Sequence, residues 1–360
     1  MHVTAIVPTH NRAQSLGATL DSLLDQTYAV SIVVILDNCS DDSALVVRDY
    51  AARYAAISFF ASVNNTRKKA GAQNQALARI LTTDLVLSID DDTVLAPDLV
   101  ARAVARFNRA PTLGAICSRA LVRPAPAGAS IFARLLWLLQ FLEYTTLFDS
   151  HRIETRNQIK VVHGMCALYR WPALLAVAQY QQTRYGVWQV YREDNLTEDY
   201  TLTVILKMLG YRVRSDMQML AWTDVPLDLR TLWRQRIRWL RGGVDTLREI
   251  GWNRTTAPDI LNHGLFILMT LMQALFVLAF IVFVIQQSAL FDLQYSGWTW
   301  AAFLVGYGNS LYRLKFLPYR APIAVLLRVL VLPELLYGLF QVVQLLWAYH
   351  LSYTNTKQAW

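Results

Sequence analysis

The sequence predicts an α/β domain followed by an α-helical membrane domain. Up to about residue 250, short apolar runs alternate with helical patterns, as they do in a globular α/β domain. Beyond that point lie long apolar runs with few charges. The 360 residues are 54% hydrophobic but only 17% charged, which is too apolar for an ordinary soluble domain of this length. We therefore expect residues 1–250 to form a globular domain and residues 251–360 to lie in a membrane.

Four apolar runs in the first part are predicted to be strands of one parallel sheet, because helical patterns separate them. The runs are residues 3–7, 32–36, 57–61 and 85–89. Open α/β sheets bind ligands beyond the carboxyl ends of their strands. Polar residues that directly follow these runs are therefore the first candidates for a functional site.

Three later runs are candidates to cross a membrane: residues 261–287, 298–311 and 323–349. Basic residues lie between the second and third runs or just inside the third, whereas residues 288–297 contain no Lys or Arg. This asymmetry predicts an integral membrane protein with residues 1–250 in the cytoplasm. An earlier apolar run, residues 131–148, contains charges, and either an interfacial membrane helix or a buried core helix explains it. The basic residues of the later cluster are Arg313, Lys315, Arg320 and Arg328.

The formal charge of +8 is compatible with nucleic acid, anionic lipid or a phosphorylated substrate. Many basic residues lie near the predicted membrane boundaries or in two short clusters, so membrane lipids and a diphosphate are favoured and no nucleic acid is expected. The three cysteines are far apart and form no CxxC pair, so neither a zinc site nor a disulfide framework is predicted.

Three adjacent carboxylates, at residues 90–92, follow the fourth predicted strand. Neighbouring negative charges are costly unless cations compensate them. Asp90 and Asp92 point to the same side of an extended chain and can together hold Mg²⁺ or Mn²⁺. An acidic loop or the start of a helix explains the triplet about equally well.

Other polar clusters are ambiguous when each is taken alone. Asp37 follows the second strand and could accept hydrogen bonds from a base or ribose, or could simply form a turn. Lys69 lies in a basic turn that opens a helix and would attract phosphate, or would be a solvated charge. Glu198 and Asp199 could supply a general base or cap a helix. Residues 234–239 could bind a diphosphate and a sugar, or form a basic helix at a membrane surface.

Together, and in this order, these residues resemble the processive family 2 glycosyltransferases, the group of cellulose, chitin, hyaluronan and poly-N-acetylglucosamine synthases. The resemblance implies a GT-A type Rossmann-like domain, an inverting mechanism and a UDP-sugar donor. Its motifs include a KAGxxN segment, which ends here at Asn74, and a Q(Q/R)xRW signature at residues 235–239. By resemblance, Pro8, Thr9, Asn11, Asp37, Lys69 and Asp91 bind the donor; Asp90 and Asp92 hold Mg²⁺ or Mn²⁺; Asp199, with Glu198, is the catalytic base; and His163, Gly164, Gln235, Arg238 and Trp239 bind the acceptor or diphosphate.

The resemblance also favours the interfacial reading of residues 131–148. The acceptor it implies is a growing glycan. A lipid acceptor, such as a polyprenyl phosphate or a sphingolipid, is the alternative, because three membrane passes are fewer than a synthase with its own channel needs. A membrane scaffold without catalysis is disfavoured by the intact acids at residues 90, 92 and 199. Assembly as a homo-oligomer is compatible with the sequence.

Overall fold

The computed structural model describes residues 1–80, 82–154, 159–285 and 332–354, together with the single residues 308 and 326. The chain divides into two compact units. The first unit comprises Met1–Pro124 and Ser150–Val225, and the second comprises Ala125–Asp149 and Pro226–Trp360.

The first unit is built on an eight-stranded sheet with helices on both faces. Its strands are β1 (Val3–Thr9), β2 (Ser31–Leu36), β3 (Ile57–Ala61), β4 (Leu85–Ile89), β5 (Val94–Leu95), β6 (Leu113–Val122), β7 (Cys166–Arg170) and β8 (Arg212–Thr223). Its helices are α1 (Ala13–Leu24), α2 (Ser43–Arg53), α3 (Lys68–Leu77), α4 (Leu99–Arg109), α6 (Trp171–Tyr185) and α7 (Glu198–Met208), while α5 (Ile131–Glu154) lies mostly in the second unit.

The strand order is β3-β2-β1-β4-β7-β6-β8-β5. The four predicted strands, β1 to β4, pair in parallel, which confirms that part of the prediction. The sheet then becomes mixed, because β7 runs antiparallel to both β4 and β6, and β5 runs antiparallel to β8. The alternation of the first four strands does not predict this change of direction, since β7 begins far along the chain.

Two apolar cores lie on opposite faces of the sheet. The side chains of β1 alternate between them: Val3, Ala5 and Val7 belong to one core and Ile6 to the other. Helices α1, α2 and α4 cover the first core, and α3, α6 and α7 cover the second. Because β1 is buried along its whole length, the sheet is fixed in register and its strand ends are held at defined positions.

The second unit contains most of α5 with α8 (Leu229–Ile250), α9 (Ala257–Ile285) and α10 (Leu332–Tyr353). Helix α5 begins where the interfacial segment was predicted, with Ile131 and Phe132 exposed but Leu138 and Phe141 buried. The predicted domain boundary at residue 250 follows α8, whereas the structure groups α8 with the later helices. The ring of Trp233 on α8 lies against that of Phe340 on α10, with centroids 5.6 Å apart.

Helices α9 and α10 overlap the first and third apolar runs of the sequence. Among the described residues, however, no helix is both long and apolar enough to cross a membrane. The predicted membrane-spanning helices are therefore not confirmed. The second run at 298–311 lies outside the described residues apart from residue 308, and so do residues 288–297 and the basic loop 313–320.

Candidate active site

Several predicted site residues of the first unit directly follow the carboxyl ends of three neighbouring parallel strands. Strand β1 lies between β2 and β4, so the segments that follow Thr9, Leu36 and Ile89 begin at the same edge of the sheet. The acidic triplet follows β4, Asp37 follows β2, and Asn11 follows β1. The structure thus brings these residues to one place, as expected for an open α/β sheet.

The acidic triplet is held by contacts from the turn after β1. The backbone N–H of His10 donates to Asp91 Oδ2 over 3.2 Å. The guanidinium of Arg12 lies 3.8 Å from both Asp91 and Asp92. Arg12 is 54% exposed, so these two ion pairs are well screened by solvent.

The triplet carries more negative charge than its basic neighbours neutralise. Burial, together with Asp90 and Asp92, raises the pKa of Asp91 to about 7. Burial and Asp90 also raise the pKa of Asp92 above its usual value. Mg²⁺ and Mn²⁺ prefer carboxylate oxygens, and Mg²⁺ is commonly held by one or two carboxylates plus substrate phosphates. Asp90 and Asp92 fit such an ion, although no group of three or more potential ligands was found within the described part of the chain.

Lys69, in the first turn of α3, is the cation nearest to the triplet. Its ammonium forms an ion pair with Asp90 Oδ1, lies 3.7 Å from Glu198 Oε1 and donates to the carbonyl of Gly164 over 3.1 Å. Burial alone would lower the pKa of Lys69, but Asp90 and then Glu198 raise it above its usual value. Lys69 is therefore positively charged at neutral pH and joins the triplet to the segment 163–164.

Asp199, in the first turn of α7, lies on the other side of that segment. Its Oδ2 accepts from the backbone N–H of Gly164 over 2.8 Å, and its Oδ1 accepts from the N–H of Tyr200 over 2.8 Å. A Cβ atom on Gly164 would come within 3.1 Å of Lys69 Nζ and 3.3 Å of Asp199 Oδ2. Glycine therefore allows the lysine and the carboxylate to approach the same peptide from two sides.

His163 is partly buried and contacts the backbone of β6. Its Nε2 lies 2.8 Å from the carbonyl oxygen of Ser118, so that nitrogen carries the proton and donates. Burial lowers the pKa of His163, which keeps the ring neutral near pH 7. The observed contact ties the segment before Gly164 to β6.

Asp37 is 6% exposed, and its two carboxylate oxygens have different surroundings. Oδ1 accepts three hydrogen bonds, from Ser62 Oγ at 2.7 Å, Asn65 Nδ2 at 2.7 Å and Asn38 Nδ2 at 3.1 Å. Oδ2 accepts none from the described residues. Asn65 also donates to the carbonyl of Lys68, whose φ of 52° is unusual for a side chain of this kind. Asn65 thus connects Asp37 to the start of α3.

Several residues predicted to bind the donor have supporting contacts. Thr9 is buried, and its carbonyl accepts from the backbone N–H of Asp37 over 2.8 Å, while its neighbour Pro8 lies inside β1. Asn11 has a φ of 54°, and its side chain accepts from the N–H groups of residues 40 and 41. Asn74, the last residue of the KAGxxN segment, bonds the backbone of residues 190–191 through both ends of its amide. Asn74 thus positions the loop that contains residues 190–191.

The other three predicted site residues, Gln235, Arg238 and Trp239, lie on α8 in the second unit. Gln235 Oε1 accepts from Arg236 over 2.6 Å, and the Arg236 guanidinium lies 4.3 Å from the ring centroid of Trp239. Arg236 is itself 4% exposed and pairs with Glu143 at 2.7 Å.

Tyr337 on α10 donates to the same oxygen of Glu143 over 2.7 Å. Burial alone would lower the pKa of Arg236, but Glu143 raises it above its usual value, so the guanidinium is charged.

The site residues predicted from the sequence do not include Ser62, Asn65 or Glu143, and Arg236 enters only as part of the signature at residues 235–239. Glu143 did leave a signal, because it is a charge within an otherwise apolar helix and such a charge needs a buried partner. For Ser62 and Asn65, the sequence contains no such signal beyond their place in a polar turn. Their importance depends on a contact with Asp37, which lies 25 and 28 residues away in sequence.

The structure brings the acid pair Asp90 and Asp92, the charged Lys69 and the hydrogen-bonded Asp37 to the strand ends of one sheet. This is the arrangement of a GT-A type glycosyltransferase. Residues 4–175 match the family described as Glycosyl transferase family 2. Residues 4–175 therefore form a family 2 glycosyltransferase domain, as the motifs predicted.

Curated relatives of this chain include poly-β-1,6-N-acetyl-D-glucosamine synthases. The synthase of Staphylococcus aureus strain COL is 27% identical over 248 residues, which cover 68% of this chain and 55% of the synthase. The synthase of Staphylococcus epidermidis is 24% identical over 309 residues, which cover 84% of this chain and 69% of the synthase. With the Staphylococcus aureus synthase, the match thus spans little more than half of the relative's length.

Among solved structures, a mannosyltransferase from Pyrobaculum calidifontis in complex with GDP-Man and Mn²⁺ has the same fold. The TM-score is 0.59 at 18% identity, and the alignment covers 99% of this chain and 88% of that one. At this identity the likeness extends to the fold alone.

Proposed function

We propose that this chain is a membrane-bound, inverting glycosyltransferase that transfers a sugar from a UDP-sugar to a growing β-linked polysaccharide. One observation carries the proposal. Asp199 accepts from the N–H of Gly164, the carbonyl of Gly164 accepts from Lys69, and Lys69 pairs with Asp90. A base for the acceptor and a charged group for the donor diphosphate therefore lie on either side of one peptide.

In the proposed mechanism, Asp90 and Asp92 would hold Mg²⁺ or Mn²⁺, which when bound would supply positive charge to the leaving diphosphate. Lys69 adds a second positive charge, and Glu198 beside it keeps the ammonium in place. Asp199 accepts the proton of an acceptor hydroxyl as its oxygen bonds to the anomeric carbon of the donor. The bond from that carbon to the diphosphate breaks on the opposite side, so UDP leaves and the configuration inverts.

The acceptor and the membrane are further parts of the proposal. The names of the curated relatives support a glycan acceptor over the lipid alternative. Large apolar side chains of α9 are more than half exposed, among them Leu265, Met269 and Leu275, and lipid is a favourable environment for such a surface. By resemblance, Gln235 and Arg238 contact the diphosphate and Trp239 the acceptor sugar, and the catalytic domain faces the cytoplasm.

The decisive experiment uses the full chain, purified in detergent. UDP release is measured with UDP-N-acetylglucosamine and with other UDP-sugars, in the presence of Mg²⁺ or Mn²⁺, and the product is sized. We expect UDP release with at least one donor and a product that lengthens with time. Release without lengthening, and transfer to an added polyprenyl phosphate, would instead favour the lipid acceptor.

A further inference from the structure

We infer that Ser62 and Asn65 determine the base specificity of the donor site, by occupying one oxygen of Asp37 and leaving the other as its only acceptor. The inference rests on the proposed function and on Asp37, a donor-binding residue by resemblance, contacting the base of the nucleotide there. Ser62 and Asn65 would thus make the site disfavour guanine nucleotides without contacting the base themselves.

The carboxylate of Asp37 can accept only a limited number of hydrogen bonds. Each oxygen of an ionised Asp has two lone pairs, so it accepts two hydrogen bonds well. Oδ1 of Asp37 already receives three, and the two shortest come from Ser62 Oγ and Asn65 Nδ2 at 2.7 Å each. Oδ1 is therefore saturated by the protein, and only Oδ2 can accept a bond from a ligand.

Asp37 Oδ1 can discriminate between uracil and guanine only if its hydrogen bonds from the protein are rigidly held. Asn65 cannot easily turn away, since its Oδ1 accepts from the N–H of Arg67 at 2.9 Å and its Nδ2 also donates to the carbonyl of Lys68. Asn38 closes the arrangement by donating to the carbonyl of Asn65 over 3.0 Å. The backbone N–H of Asp37 donates to Thr9, which fixes the start of the turn.

Uracil and guanine differ in the hydrogen-bond donors that they present. Uracil presents one imide N–H, flanked by two carbonyl oxygens, and one carboxylate oxygen satisfies it. Guanine presents two adjacent donors, N1–H and the exocyclic amine, which a free carboxylate would accept with both oxygens. With Oδ1 occupied, one of the two donors of guanine is desolvated without a partner, and such a loss is costly. The site is thus built to accept uracil and to reject guanine.

The test measures the dissociation constants of UDP and GDP for the full chain by calorimetry, in detergent with Mg²⁺. We expect wild type to bind UDP at least about tenfold more tightly than GDP, the ratio that one unsatisfied hydrogen bond produces. The double variant Ser62→Ala with Asn65→Ala leaves Oδ1 with one hydrogen bond, from Asn38, so Oδ1 can accept a second bond from guanine. The ratio should then fall by roughly tenfold, mainly through tighter GDP binding.

The matched control is Ser58→Ala, on the strand that precedes Ser62. The Ser58 hydroxyl donates to the carbonyl of Ile32 over 3.3 Å, and no contact with Asp37 is recorded for it, so the ratio should stay at the wild-type value. If the double variant does not fold, as judged by its thermal unfolding, Ser62→Ala combined with Asn38→Ala decides, because it also leaves Oδ1 with one hydrogen bond, from Asn65, and the same fall is expected.

Equal affinity of wild type for UDP and GDP would overturn the inference, and so would an unchanged ratio in the folded variants. Neither result would contradict the proposed function, which is tested by UDP release and product length. Absence of any nucleotide binding by wild type would instead remove the proposed function, and the inference with it.

Discussion

The ion pairs of the two units differ in how far they are buried. This difference distinguishes charged residues that can bind a ligand from those that stabilise the fold. In the first unit, Lys69 and Asp90 form an ion pair, yet their side chains remain 31% and 33% exposed. In the second unit, Arg236 and Glu143 form an ion pair whose side chains are 4% and 15% exposed. A partly exposed pair can exchange partners with an incoming ligand at a lower cost than a buried pair, which cannot be separated without leaving a desolvated charge.

This comparison changes how the Q(Q/R)xRW signature is interpreted. The signature places two arginines close together, and from the sequence either could contact a diphosphate. The structure gives Arg236 a buried partner, so we expect it to hold the helices of the second unit together and to orient Gln235 and Trp239. The predictions below test this division of roles, beginning with the largest expected effect.

Removal of divalent cations should abolish UDP release from the exposed site. Two ionised carboxylates and a diphosphate repel one another unless a cation lies between them. We expect release to fall to background in excess EDTA and to return when Mg²⁺ or Mn²⁺ is added. Asp92→Asn should lose donor turnover as well. Full activity in EDTA would contradict the assignment of Asp90 and Asp92.

The substitution Asp199→Asn should lower turnover by roughly 10²- to 10⁴-fold, the usual loss when a general base is removed. UDP-sugar binding should be nearly unchanged, because the proposed partner of Asp199 is the acceptor hydroxyl. Lys69→Ala is the contrasting variant and should mainly weaken donor affinity. Calorimetry and UDP release on one detergent preparation separate the two effects. If Asp199→Asn loses donor binding as severely as Lys69→Ala, then Asp199 is part of the donor site and the base lies elsewhere.

The substitution Glu143→Gln should destabilise the protein by about 3–5 kcal/mol, the usual cost of removing one partner of a buried ion pair. Tyr337→Phe removes one hydrogen bond and should cost about 1 kcal/mol. Chemical unfolding in detergent measures both losses.

The double variant Glu143→Gln with Arg236→Met tests the pairing directly. It should be less destabilised than Glu143→Gln alone, because no unpaired buried charge remains. Additive losses in the double variant would show that Glu143 and Arg236 act independently.

The smallest effect is expected from Gly71→Ala. A Cβ at this position would lie 2.1 Å from Asn65 Oδ1, so Asn65 must move and lose its bond to Asp37. We expect UDP affinity to fall by only about threefold, because Asp37 is held less firmly while Oδ2, its proposed contact with the base, is unchanged. Gly17→Ala is the matched control, since its Cβ would meet Tyr50 at 3.4 Å, an ordinary contact. Equal UDP affinity of the two variants would argue against a role for Asn65.

Much of the first unit could be predicted from sequence because its signals are local. The apolar runs of β1 to β4 and their parallel order follow from alternation along the chain. The acids after β4 and the glutamate and aspartate that open α7 are adjacent in sequence, so their chemistry is visible without a fold. The order of the motifs then identified the family, which the match to residues 4–175 confirms.

The tertiary structure alone decided which of these groups meet. Glu143 and Arg236 are 93 residues apart, and Asp37 and Asn65 are 28 apart, so no periodicity links them. The antiparallel strand β7 and the role of Gly164 as the peptide between Lys69 and Asp199 were likewise invisible in the sequence. The physical reason is that hydrophobic pattern and turn chemistry act over a few residues, whereas ion pairs and hydrogen bonds join whatever groups the packed core brings within 3 Å or so of each other.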